Sequence, residues 1–282
     1  MDLRTLFDLE PHGADTFVGT GPRYPWGGLY GGQIVAQALR AAAATTDGDL
    51  EPHSLRAYFI RRGDHTEPVR YEVDRIRNGR SFATRRVVAR QAIGAILNLE
   101  ASFHRPEPAR DISTVPMPEG VPRPEDLPPT AWSTSFDRRM VPVLDGSPVP
   151  VGRTGTGRLM AWLKVTDPLG DDQLLQRCWL AYLSDDLPTE SVGRALGLGF
   201  GTEPPPDGTD PWAGVMSASL DHTIWFHRPV HADQWHLQDF TCHGYVGGRG
   251  LSIGHIFSID GVHVATVAQE VVLREAEFHA ER

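Results

Sequence analysis

The pattern of apolar and polar positions predicts one helix followed by four strands near the start of the chain. The glycine pair Gly31-Gly32 opens a stretch of strong helix formers, QIVAQALRAAAATT, at residues 33–46. The runs that follow are rich in Val, Ile, Phe and Tyr, and they predict strands at 53–62, 68–77, 81–91 and 94–104. Because the short turns at Gly63 and Gly94 cannot make parallel crossovers, we expect an antiparallel sheet and the α+β fold class.

The second part of the chain repeats this plan. Its helical pattern, DDQLLQRCWLAYLSD at 171–185, is preceded by strand-like runs at 135–143 and 157–166. After a predicted Gly/Pro-rich loop at 191–212, further strands are expected at 215–227, 235–245, 249–259 and 262–274. The two parts align without a gap at an offset of 169 residues, which places His53 on His222, Gly79 on Gly248, Val87 on Ile256 and Glu100 on Gln269. This internal repeat predicts two helix-plus-sheet units in tandem.

A proline-rich segment divides the two copies. Residues 105–129 hold eight prolines in twenty-five positions, a density that no helix or central strand tolerates. We therefore expect an extended linker at 105–129 between an N-terminal unit, 1–104, and a C-terminal unit, 130–282.

Charge and composition argue against several classes of protein. The formal net charge is −9 and no basic block stands out, which argues against a nucleic-acid partner. The longest apolar runs, such as Val264–Ala268, are far shorter than the roughly 20 residues of a membrane span. The N-terminus shows no apolar signal-peptide core, and two isolated cysteines, Cys178 and Cys242, fit a reducing compartment. We therefore expect a cytoplasmic protein without a membrane partner, in which neither cysteine is a nucleophile.

Several common catalytic motifs are missing from the sequence. No cluster of Cys, His and Asp has the spacing of zinc ligands, and no Ser stands in a G-x-S-x-G turn. The glycine-rich GGRG at 247–250 lies between strands and does not open a helix. We therefore expect no metal and no organic cofactor. The pair Gly31-Gly32 does open a helix whose free N–H groups could receive an anion, although a tight turn would also explain these glycines.

Four polar residues allow both a structural and a functional interpretation. Gln269 shares one face of the last strand with four apolar residues, so its amide needs buried partners, either backbone or a reacting group. Asp185 closes a helical pattern, where a carboxylate opposes the helix dipole, although a solvated turn residue is equally consistent. Ser219 is predicted on the polar face of its strand, and His222 on the apolar face as a hydrogen-bonded core histidine.

Six strings in the sequence follow the motif order of one protein family. They are LYGGQIVAQAL, HSLRAYFIRRGD, RIRNGRSFATRRVVARQ, LAYLSD, LDHTIWFHRP and GGRGLSIGHIFSIDGVHVATVAQEVVLR. Together they resemble the acyl-CoA thioesterase II (TesB-like) family and cover most of residues 25–104 and 155–274. The resemblance implies a double hotdog, in which two helices are each wrapped by an antiparallel sheet. It also implies hydrolysis of fatty acyl-CoA to free acid and CoA.

The same resemblance implies a catalytic set of an Asp, a hydroxyl residue and a Gln that hold the attacking water. Matched motif by motif, these fall on Asp185 in AYLSD, Ser219 in SASLDH and Gln269 in VAQE, with Asp186 as the alternative carboxylate. Two departures from the family pattern concern the acyl pocket more than the chemistry, namely Asn78 before Gly-Arg-Ser-Phe and residues 241–245.

We expect Asp185 to orient or deprotonate a water that attacks the thioester carbonyl, with backbone N–H groups at the oxyanion. The expected partner is an acyl-CoA substrate, and the expected assembly is a homo-oligomer, either a dimer or a tetramer. One alternative is a double-hotdog acyl-CoA hydratase or dehydratase. It would need an Asp–His pair in one site, whereas Asp221 and His222 are neighbours on a strand and point to opposite faces. The other alternative is a non-catalytic acyl-CoA-binding protein.

Overall fold

The computed structural model describes residues 3–24, 26–142, 157–198 and 214–275, which form one antiparallel sheet with helices on one face. The first half contains β1 (Glu10–Pro11), β2 (Thr16–Gly19), α1 (Gly31–Ala43), β3 (Glu51–Phe59), β4 (Val69–Asn78), β5 (Phe82–Gln91) and β6 (Gly94–His104). The second half contains β7 (Phe136–Met140), β8 (Arg158–Val165), α2 (Gln173–Leu183), α3 (Pro188–Ala195), β9 (Val215–Ser219), β10 (Asp221–Phe226), β11 (His236–Val246), β12 (Arg249–Ser258) and β13 (His263–Glu275). Within these ranges no helix is long and apolar enough to cross a membrane.

The strand order shows the internal repeat that the sequence predicts. From the middle outward, the first half runs β3-β6-β5-β4 and the second half runs β10-β13-β12-β11. The halves meet where β3 pairs antiparallel with β10, and Leu55 lies opposite Ile224. These two residues are 169 positions apart, so each faces its own repeat counterpart and a pseudo-twofold axis passes between them. The predicted α+β architecture of two helix-plus-sheet units is confirmed.

The gapless alignment is wrong for the last strand of each unit. Ala83 pairs with Phe103, and its counterpart Ser252 pairs with Gln269. Phe103 is therefore the structural counterpart of Gln269, and Glu100, which is exposed, is not. The reason is a difference in register, because twenty positions along the chain separate Ala83 from its partner Phe103, whereas seventeen separate Ser252 from Gln269.

Two further predictions needed correction, and one part of the fold was not foreseen. The predicted loop at 191–212 begins with helical residues, since α3 ends only at Ala195, and its residues 199–212 lie outside the described ranges. The predicted strand 215–227 is two strands, which are interrupted at Leu220. The N-terminal strands β1 and β2, which extend the sheet beyond β4, were not predicted. The segment 105–129 contains one 3₁₀ turn at Pro124–Asp126 and no strand.

The two long helices approach each other closely at one point. Helix α1 packs on β3, β4, β5 and β6, and every residue from Gly32 to Leu39 is buried. Its first turn lies against the last turn of α2, where Tyr30 Oη donates to the carbonyl of Tyr182 at 3.0 Å. A Cβ on Gly32 would overlap the same carbonyl oxygen. Gly32 therefore permits the helix contact by lacking a side chain, and its φ is not in the left-handed region.

Gly32→Ala is expected to destabilise the protein by about 1–3 kcal/mol, because the added methyl must push α1 and α2 apart. The measurement is the free energy of unfolding in urea. Gly48→Ala is the matched control, since a Cβ there meets no atom within 4 Å and the φ of Gly48 is ordinary. Equal unfolding free energies for the two variants would show that the helix contact tolerates a side chain.

Candidate active site

Asp185 is a buried carboxylate placed between two helix ends. It follows Ser184, the C-terminal cap of α2, and its Oδ2 accepts a hydrogen bond from the Gly32 N–H at 2.8 Å. The end of its own helix disfavours negative charge, but the first turn of α1 presents a free N–H and the positive end of a helix dipole. Of the two interpretations of the glycine pair, the structure supports the anion receptor, and the anion is a side chain of the same chain.

Gln269 and Ser219 converge on the other oxygen of Asp185. The Gln269 Nε2 donates to Asp185 Oδ1 and to Ser219 Oγ, both at 2.8 Å, and the Ser219 hydroxyl lies 3.1 Å from the same Oδ1. Gln269 is fully buried, as are the four apolar residues predicted to share its face, Ala265, Val267, Val271 and Leu273. The structure thus brings together the three side chains that the family resemblance singles out.

A β-bulge places Ser219 in this group. Ser219 pairs with Val271 and Thr223 pairs with Ala268, so one strand advances four residues where β13 advances three. The Asp221 side chain accepts from the Glu270 N–H at 2.7 Å and so satisfies the backbone where the ladder is interrupted. An extra residue reverses the side-chain alternation. The prediction that Ser219 and His222 lie on opposite faces is therefore wrong, and both face the helices.

His222 is fully buried and both of its ring nitrogens have partners. Its Nδ1 lies 2.5 Å from Gln269 Oε1, and its Nε2 lies 3.0 Å from the hydroxyl of Ser184. This agrees with the prediction of a hydrogen-bonded core histidine. Asp221 points away from the site, where it accepts from the Glu270 N–H and lies 3.5 Å from Arg56.

Asp186, the alternative carboxylate, is bound elsewhere. Its two oxygens accept from Trp132 Nε1 at 2.5 Å and from Arg138 at 3.0 Å, and the same guanidinium nitrogen lies 3.0 Å from Glu190. The Asp186 side chain is 2% exposed. Asp186 therefore belongs to a buried ion-pair group. No spacing in the sequence indicates this partner, because Arg138 lies on the edge strand β7, far from Asp186 along the chain.

Burial controls the protonation of the ionisable groups around the site. Desolvation raises the pKa of Asp185 above its ordinary value of 3.8, while nearby His222 and the donors Gln269, Ser219 and Gly32 oppose this shift. Burial also raises the pKa of the Cys178 thiol to about 12, so that the thiolate is disfavoured. Within the described ranges, no three His, Cys, Asp or Glu side chains are placed to hold a metal ion.

Solved structures place this fold among the hotdog proteins. A hot dog fold protein from Alicyclobacillus acidocaldarius superposes with a TM-score of 0.77 at 20% identity and covers 97% of this chain and 98% of its own. An acyl-CoA thioesterase II, TesB2, from Mycobacterium marinum superposes with a TM-score of 0.80 at 33% identity and covers 98% of both chains. The double hotdog implied by the sequence motifs is thereby confirmed.

The sequence comparisons narrow the class to a family. The model of the acyl-CoA thioesterase C-terminal domain matches residues 97–273, and that of the N-terminal domain matches residues 20–104. Human acyl-coenzyme A thioesterase 8 is 34% identical over 96% of this chain and 88% of its own length. Acyl-CoA thioesterase 2 of Haemophilus influenzae is 32% identical over 88% of each chain. The chain belongs to the acyl-CoA thioesterase family.

Arg138→Met is expected to destabilise the protein by roughly 3–5 kcal/mol, because it leaves the buried Asp186 and the partly buried Glu190 without their cation. Arg86→Met is the control, since Arg86 pairs with Asp74 in an exposed ion pair that contributes at most about 1 kcal/mol. Urea unfolding at pH 7 measures both. A loss for Arg138→Met no larger than that of the control would mean that the buried group does not act as a unit.

Proposed function

We propose that this protein hydrolyses acyl-CoA thioesters to free acid and CoA by direct attack of a water held by Asp185, Ser219 and Gln269. The observation that carries the proposal is the convergence of Gln269 Nε2 and Ser219 Oγ on Asp185 Oδ1. Membership of the acyl-CoA thioesterase family supplies the substrate class. Acyl-CoA is thus the proposed partner, and no metal or organic cofactor has a role in this chemistry.

Each of the three side chains has a distinct task in this reaction. Asp185 accepts the proton of the water, because burial makes its carboxylate a stronger base than a solvated aspartate. Gln269 holds Oδ1 of that carboxylate at 2.8 Å and contributes orientation without exchanging a proton. Ser219 accepts from the amide and supplies the hydroxyl that positions the water. Backbone N–H groups stabilise the oxyanion of the tetrahedral intermediate.

The reaction proceeds without a covalent acyl-enzyme. Cys178 is fully buried and its raised pKa keeps it protonated. Burial also raises the pKa of Cys242, which makes its thiol a weak nucleophile. Both cysteines are free, which supports our placement of the protein in the reducing cytoplasm.

We also propose a homo-oligomer, either a dimer or a tetramer, and a division into units 1–104 and 130–282 around the linker 105–129. Large apolar side chains that stay exposed on the strands support self-association, among them Tyr58, Phe82, Trp225 and Leu251. The pseudo-twofold arrangement about the β3–β10 pair supports the division.

Release of free CoA thiol from acyl-CoA substrates of different chain lengths, followed with a thiol dye, tests the proposal. Asp185→Asn is expected to lower kcat by roughly 10²–10⁴, the range for a lost general base. Asp186→Asn is the matched control, since the Asp186 carboxylate contacts Trp132 and Arg138. At temperatures where this variant is folded, it should keep most of the turnover. Equal losses in the two variants would remove Asp185 from the mechanism. Binding of acyl-CoA without any thiol release would identify a binding protein.

The pH dependence of kcat/KM provides a second prediction. The base must be ionised, so the rate is expected to fall as the pH drops through a midpoint above 3.8, the ordinary pKa of an aspartate. Gln269→Ala removes a donor that lowers the pKa of Asp185, so this midpoint is expected to move to higher pH. The measurement is the acid limb of the rate profile of each variant. A midpoint that moves to lower pH, or does not move, would contradict the assignment of the base.

A further inference from the structure

We propose that His222 is a positioning residue, whose imidazole fixes the orientation of the Gln269 amide and thereby aims its N–H groups at Asp185 and Ser219. His222 touches neither the carboxylate nor the hydroxyl through a hydrogen bond of its own; its contact with the site is Gln269 Oε1 at 2.5 Å. The inference rests on the proposed function, because it assigns a task within that same site.

The two ends of the Gln269 amide are not interchangeable in this environment. In the observed orientation, Nε2 gives two hydrogen bonds, to Asp185 and Ser219, and Oε1 faces the imidazole. An amide turned by 180° would place its oxygen against the Asp185 carboxylate and its NH₂ group against His222 Nδ1. An N–H at Nδ1 therefore selects the orientation in which both amide hydrogens point into the site.

The other ring nitrogen ties this selection to helix α2. His222 Nε2 lies 3.0 Å from Ser184 Oγ, and Ser184 is the C-terminal cap of α2 and the residue directly before Asp185. The Ser184 hydroxyl also donates to the Ala181 carbonyl at 3.0 Å, so it contacts both the last turn of α2 and the imidazole. The hydrogen bonds and the peptide bond together close a ring of four residues: Asp185, Gln269, His222 and Ser184. All four are buried, so the loss of one partner leaves a polar atom of the ring without its hydrogen bond.

The first unit shows that the histidine alone does not account for this arrangement. His53, the counterpart of His222, hydrogen-bonds to Ser102 at 2.8 Å and is only partly buried. The counterpart of Gln269 is Phe103, which has no amide to orient. The coupling between histidine and amide is therefore specific to the unit that carries Asp185.

Two substitutions of His222 separate the two ring nitrogens. In His222→Asn the amide nitrogen can take the place of Nδ1, so this variant keeps a donor for Gln269. In His222→Gln the longer side chain reaches the position of Nε2, so this variant keeps only the contact with Ser184. We expect His222→Gln to lower kcat about 10- to 100-fold, the range typical of outer-shell partners, with little change in KM. His222→Asn should keep most of kcat. Equal losses in the two variants, or a loss confined to KM, would overturn the proposal.

A double-mutant cycle tests whether His222 acts through Gln269. In a Gln269→Ala background, His222→Gln is expected to cause no further fall in kcat, because the amide it orients is absent. A multiplicative loss would overturn the inference and leave the proposed function standing. Full activity of Gln269→Ala itself would instead contradict the proposed function.

Controls for folding accompany the cycle. His236→Asn is the matched control, since His236 is also buried in the second unit but contacts Gln234 and Gln238 and is expected to keep its turnover. Ser184→Ala is a milder variant that removes the partner of Nε2 together with a hydrogen bond to the Ala181 carbonyl. It should lower kcat to a smaller extent and raise the acid midpoint of kcat/KM, again only when Gln269 is present. No change in either quantity for Ser184→Ala would overturn the proposal even if His222→Gln does not fold.

Discussion

The hydrogen bond between the Gly32 N–H and Asp185 is the interaction on which the site depends. A carboxylate taken out of water needs several donors, and here they come from the start of α1, from β9 and from β13. The bond forms only if α1 approaches the end of α2 so closely that a side chain at Gly32 would overlap the Tyr182 carbonyl. The hydrogen bond to the buried Asp185 carboxylate therefore requires the two long helices to pack closely at this point. Since α1 belongs to the first unit and α2 to the second, this hydrogen bond also links the two halves of the molecule.

Two neighbouring carboxylates show how the type of partner sets the chemistry. Asp186 faces a guanidinium, which neutralises its charge and makes it part of a structural group with Glu190. Asp185 receives hydrogen bonds from an amide, a hydroxyl and a backbone N–H, none of which carries a charge. Such donors hold the carboxylate in place while burial keeps its pKa raised. One peptide bond thus separates a group suited to stability from a group suited to proton transfer.

The sequence predicted the elements better than their register. The periodicity of apolar residues depends on local burial alone. It was enough to predict the strands, the helix after Gly31-Gly32 and the buried face that carries Gln269. Two features depend on pairing between distant strands. One is the extra residue at Leu220, which puts Ser219 on the same face as His222. The other is the register of the first unit, which makes Phe103 and not Glu100 the counterpart of Gln269. The role of Gly32 depends on a helix more than a hundred residues away. The hydrophobic pattern of one segment contains no information on these contacts between distant parts of the chain.

Phe103 gives the tandem arrangement a particular meaning. If two identical units associated around a twofold axis, each would have to supply both the glycine turn and the acid, and every pair would carry two equal sites. Joining the units in one chain removes that constraint. The second unit contains Asp185 and Gln269, while the first contributes the Gly32 N–H that binds Asp185. At the position equivalent to Gln269, the first unit has the fully buried ring of Phe103. Under the proposed mechanism each pair of units acts on one acyl group, with Asp185, Ser219 and Gln269 in the second unit and the backbone N–H that holds the carboxylate in the first.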